Sequence, residues 1–143
     1  MKALILLLAL SVCVPACAQE RTESVTTHFQ GSADLGKGAQ LRSEANRVAR
    51  LIQTKQYQAA ADGAAALRKR YEALFDPALR QLTFASRSEF DDFKKTVSGK
   101  VEWIDWGYKE CLHMQAFLAA QRRDFGSALT LLNDIEKVAP VSA

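Results

Sequence analysis

The sequence predicts an all-α domain, antiparallel helix pairs stacked as a short α-solenoid, and three observations carry that expectation. Beyond residue 40, apolar residues recur at spacings of three and four, the mark of a buried helix stripe. The stripes are separated by short polar turns, which join neighbouring helices in antiparallel fashion. Prolines fall at segment ends, at Pro77 and Pro140, and none interrupts a stripe.

Residues 1–18 come before that domain and read as an export signal. Lys2 gives a positive start, residues 3–12 form an apolar run, and small residues follow. A membrane-spanning helix needs about 20 apolar residues, and Gln19, Glu20 and Arg21 end this run too soon. Two processing readings stand. Ala16 and Ala18 flanking Cys17 fit cleavage before Gln19, whereas residues 14–17 resemble a lipoprotein signal that would lipidate Cys17. The first gives a soluble periplasmic protein and the second an anchored one. The expected location is the periplasm either way.

Residues 19–40 are polar, carry Gly31, Gly36 and Gly38, and show no apolar period, so a flexible lead-in is expected. The Gly36-Lys37-Gly38 run lacks the glycine spacing and the following Ser/Thr of a phosphate loop. His28 has no second ligand type at metal-binding spacing.

The helical domain is expected over residues 41–143. Ala45, Val48, Ala49, Leu51 and Ile52 form the first stripe, and residues 58–74 a second helix on Ala59, Ala60, Ala64, Leu67, Tyr71 and Leu74. Alanines there allow close helix approach and favour the helix intrinsically. Asp76-Pro77 ends the pair, because the residue before proline avoids helical angles. Residues 77–85 have no clean period and predict a short helix with a linker. Ser86 with Glu89 reads as a capping box for a helix bearing Phe90, Phe93 and Val97, stopped at Ser98-Gly99. Residues 101–122 then predict one long helix, apolar on two sides, with Trp103 and Trp106 sharing a face and Asp105 helping to start or solvate the helix. A final helix over residues 127–138 carries Leu129, Leu131, Leu132 and Ile135 before Pro140.

The 143 residues are 48% hydrophobic and 24% charged, with a net charge of +3, as for a single soluble domain. Acidic and basic residues alternate and form no basic stripe, so no nucleic-acid partner is expected. Cys13 lies in the leader and Cys17 is removed or lipidated, which leaves Cys111 as a lone thiol at core spacing and rules out an internal disulfide. No nucleophile elbow, zinc-protease motif or glycine loop occurs, so neither an enzyme nor a bound cofactor or metal is expected.

Residues 109–140 resemble a tetratricopeptide repeat. That family's repeat of about 34 residues pairs two helices with small and large residues at set places. Here Ala116 stands in the first helix, Phe125 at the turn, Ala128 next, Leu132 four later and Pro140 at the end. The pattern departs at Ala119, where tyrosine is usual, and at Arg123, where glycine is common. Tyr57 and Ala60 repeat the Phe125 and Ala128 placement 68 residues earlier, twice the family's period of about 34. A diverged copy between them and a coincidence of spacing are both open. The resemblance implies a concave face that holds another protein, with Glu110, His113, Phe117 and Gln121 on its inner helix. Trp103 and Trp106 join these as candidate partner-binding residues, aromatic side chains being enriched in binding hot spots.

Three functions are compatible with this reading. One is a periplasmic protein-interaction module holding a partner in an envelope assembly. Another is an immunity or inhibitor protein that neutralises a toxin or hydrolase. The third, a minor enzyme or ligand carrier, would need a deep pocket. A solenoid this short also has apolar end faces, and a homodimer is expected if neither the lead-in nor residues 88–98 covers one.

Overall fold

The computed structural model of the protein describes residues 35–140. The expected leader with Cys13 and Cys17, and most of the lead-in with His28, lie outside the described residues. A 3-10 turn, Ala39–Leu41, runs into α1 (Arg42–Gln53), followed by α2 (Tyr57–Glu72), β1 (Arg80–Phe84), α3 (Arg87–Thr96), β2 (Val101–Asp105), α4 (Gly107–Gln121) and α5 (Phe125–Val138).

The expectation of an all-α fold is therefore corrected. β1 and β2 form a parallel two-stranded sheet in register from Arg80 opposite Val101 to Phe84 opposite Asp105. α3 is the crossover that parallel pairing requires. Residues 77–85 hold a strand where a short helix was expected, and the long helix expected over residues 101–122 is two elements, β2 and α4. The physical reason is burial on both sides. Leu82, Thr83 and Phe84, like Trp103, Ile104 and Asp105, are consecutive buried residues, and such a short run has no period to tell strand from helix. One sheet face packs Leu82, Phe84 and Trp103 against Phe90 of α3, with Phe93 alongside. Thr83 and Ile104 look the other way, where the Thr83 hydroxyl donates to the Val138 carbonyl of α5 at 3.1 Å.

The capping box at α3 forms, with the Ser86 hydroxyl accepting the Glu89 amide at 3.2 Å. The Glu89 carboxylate accepts the Ala85 amide at 2.8 Å. One orphan donor of the helix start and the amide of the residue before the cap are thereby satisfied.

Lys37 adds one parallel bridge to the free edge of β2, its amide donating to Trp103 O at 2.8 Å and its carbonyl accepting the Asp105 amide at 2.9 Å. Gly36 permits that approach, since a Cβ there would lie 2.6 Å from the Asp105 backbone nitrogen. The end of the lead-in is thus built into the sheet.

The remaining helices form two antiparallel hairpins, α1–α2 and α4–α5, closed by the same turn. In the first, the Gln56 amide donates to Leu51 O at 2.8 Å and the Lys55 amide to Ile52 O at 2.9 Å. In the second, the Asp124 amide donates to Ala119 O and the Arg123 amide to Ala120 O, both at 2.9 Å. These are the paired bonds of a Schellman turn. Its left-handed position is held by Lys55 at φ 59° and Arg123 at φ 60°, where glycine would sit without strain. Every partner in the second turn lies 68 residues beyond its counterpart in the first. The segment between the hairpins is the β1–α3–β2 unit and contains no further helix pair.

The hairpins pack through α2 against α4. Val48, Ala60, Ala64 and Leu118 form one buried cluster, and Leu67, Tyr71, Tyr108, Cys111, Leu112 and Ile135 another that reaches Ile104 of the sheet. Ala60 and Ala64 are fully buried, so the small side chains let the backbones close, as the alanine content of α2 suggested. The Cys111 thiol donates to Ala64 O at 3.3 Å, and burial pushes its pKa up to about 12. It is a core residue with no thiolate chemistry near neutral pH.

Candidate partner-binding site

α4 presents a stripe that begins at its N-cap. Trp106 has helical angles, φ −58° and ψ −22°, so it continues the series Glu110, His113, Phe117 and Gln121 at spacings of three and four. Trp106 is 41% exposed and Phe117 42%. His113 and Gln121 are exposed and Glu110 is half-buried. Beside this stripe α1 and α4 leave a surface cleft of roughly 320 Å³, lined by Ala49, Ile52, Gln53, His113, Met114 and Phe117. Its walls are largely apolar, and the Phe117 ring is held edge-on by Tyr57, with centroids 6.4 Å apart. Phe117 is therefore both a surface residue and a packed one, which pre-orients an anchor for a partner.

The structure brings five of the six candidate residues onto this one helix face. Trp103 is the exception. It lies in β2, buried, stacked on Phe90 with ring centroids 5.5 Å apart, and its indole donates to Phe84 O at 3.1 Å. Trp103 and Trp106 do not share a face, because the strand ends between them. Asp105, expected to solvate the helix start, is fully buried. It does cap the helix: Asp105 Oδ1 accepts the Gly107 amide at 3.0 Å. Gly107 is required there, since a Cβ would come within 2.4 Å of the Tyr71 hydroxyl.

A second, more polar groove of roughly 790 Å³ runs between α2 and α5 over α4, lined by Asp62, Arg68, Gln115, Arg122, Asp124 and Ser127 among others. Arg68 is engaged there by Glu72 at 2.6 Å and Asp134 at 3.4 Å. The Tyr108 hydroxyl donates to the same Glu72 carboxylate at 3.2 Å, and burial first, then that carboxylate, raises the Tyr108 pKa. Asp134 is held below the usual carboxylate range by its hydrogen bond to Lys137. These charges are spent on one another, joining α2 to α5, and no group of three metal-ligating side chains occurs among the described residues.

No protein-family model, curated protein or solved structure matches the chain. Two features of the α1 and α5 surfaces differ from the sequence expectation. Ala49 and Ile52 read as ordinary core of α1 but wall the cleft, and Leu129 and Leu132 of α5, read as core, are exposed. The signal for the second was present: Phe125, Leu129 and Leu132 form an i, i+4, i+7 stripe apart from the one through Ala128, Leu131 and Ile135.

Proposed function

We propose that the chain is an exported protein-interaction module of the tetratricopeptide-repeat type, which works in the periplasm and holds a partner protein in an envelope assembly. The observation that carries this reading is the α4 stripe, with two large aromatic rings, Trp106 and Phe117, more than two-fifths exposed beside an apolar cleft. Aromatic anchors set next to a small apolar pocket and rimmed by polar side chains are the usual composition of an interface centre. Glu110, His113 and Gln121 supply the rim. The ligand that suits the cleft is an apolar side chain on a protein segment, since Ala49, Ile52 and Met114 offer no charge to fix a small polar molecule.

The experiment is capture from a periplasmic extract of the source organism, with wild type and a Trp106→Ala/Phe117→Ala variant as parallel baits. The captured protein is then purified and titrated against both. Support is a stoichiometric partner bound by wild type and weakened more than tenfold by the double substitution, with circular dichroism unchanged. No partner at micromolar bait, or one indifferent to both substitutions, overturns the reading. A partner that proves to be a toxin or hydrolase, inhibited on binding, replaces the scaffold role with that of an immunity protein.

A further inference from the structure

The two hairpins allow each helix face to be compared with its counterpart 68 residues away. On α2 the face made by Tyr57, Ala61 and Ala64 is covered by α4: Tyr57 meets the Phe117 ring, Ala61 packs on the cluster containing Leu118, and the Ala64 carbonyl receives the Cys111 thiol. The corresponding α5 residues are Phe125, Leu129 and Leu132, and they are 62%, 61% and 48% exposed. α5 therefore carries, uncovered and with larger side chains, the face on which α2 receives the next helix. Monomeric proteins seldom leave such a contiguous apolar stripe to water.

We propose that this stripe is a homodimer interface in which α5 packs antiparallel on α5 of a second copy about a two-fold axis near residues 130 and 131. The stripe is complementary to itself in that arrangement. Leu129 of each copy falls opposite Leu132 of the other, and Glu136, exposed at the end of the stripe, falls beside Phe125 and within a turn of Arg122 and Arg123. Opposite charges thus frame a leucine centre at both ends. Head-to-tail stacking is disfavoured, because the outer side of α1 presents Ser43, Asn46, Arg47 and Arg50, all exposed, a polar and basic face with no apolar stripe to receive α5. Three apolar side chains fall short of the about 800 Å² per partner of a standard interface, so dissociation in the micromolar range is expected.

The test is sedimentation or light scattering of the purified chain from about 1 to 200 μM, a range that brackets micromolar dissociation. The expected result is a mass rising to twice the monomer with concentration. Leu132→Glu is expected to weaken the dimer at least tenfold without lowering the melting temperature of the monomer, since the side chain is exposed. Trp106→Ala/Phe117→Ala leaves the mass curve unchanged, which separates this interface from the partner site on α4. A wild type that stays monomeric to 200 μM overturns the proposal, and so does a dimer that persists in both Leu129→Glu and Leu132→Glu.

Discussion

Arg42, the first residue of α1, grips both oxygens of the fully buried Asp105 carboxylate, with Nε at 2.8 and 3.1 Å and Nη2 at 2.5 Å. The same carboxylate accepts the Gly107 amide, so one side chain ties the start of α1, the end of β2 and the start of α4. Nearby, the buried Tyr71 hydroxyl faces that carboxylate. Burial, and then the Asp105 charge, raises its pKa.

A buried ion pair is costly to break from the side that cannot reach water. The Asp105 side chain has no exposure, whereas that of Arg42 is 23% exposed. Arg42→Met should therefore destabilise by about 3 kcal/mol, and Asp105→Asn by less, since the arginine left behind can turn to solvent. In the double variant part of the loss should return. Denaturant unfolding of the four proteins measures this, and additive losses would show that the pair is not coupled.

Lys55 and Arg123 occupy left-handed positions, which costs a residue with a Cβ roughly 1–2 kcal/mol, while glycine pays about 0.5–1 kcal/mol in chain entropy. Lys55→Gly and Arg123→Gly should each stabilise by about 0.5–1 kcal/mol, with similar values because the two turns have the same bonding. Thermal melts of the single variants test the equivalence. A gain at one turn and a loss at the other would contradict it.

Cys111 should stay unlabelled by a disulfide reagent at pH 8 in the native protein and react at once when unfolded. Its folded pKa of about 12 exceeds the ordinary value of 9.0, so the native state holds the proton more tightly than the unfolded chain does. Stability from this group is complete below pH 9 and declines as pH climbs from there towards 12. The raised pKa values of Tyr71 and Tyr108 act in the same direction. Chemical denaturation at pH 7, 9 and 10.5 should show stability falling only above 9, and a flat profile would remove burial as the cause.

The helix hairpins were legible in the sequence because each shows one apolar side, as with Ala45, Val48 and Ile52 on α1, and because Tyr57 and Phe125 mark both turns. The cap at Ser86 and Glu89 was legible for a local reason, since both partners lie within one turn. Glu110, His113, Phe117 and Gln121 were singled out by the resemblance to a tetratricopeptide repeat, their spacing of three and four puts them on one face of α4, and Trp106 joins them through its backbone angles. The strands were not legible: Leu82 to Phe84 and Trp103 to Asp105 are buried on both sides, and their partners stand about twenty residues away in sequence. Gly107 was the unread sign, a glycine inside an apparent helix that marks the true start of α4.

What the sequence determined by itself is the set of periodic helices and their turns, since side chains three and four residues apart impose those within a few angstroms. The tertiary structure alone decided that a β–α–β unit separates the hairpins, that Asp105 is buried against Arg42, and which of two stripes on α5 faces water. Each of these depends on what another segment places against it, and a contact across 63 residues, as between Arg42 and Asp105, leaves no trace in local spacing.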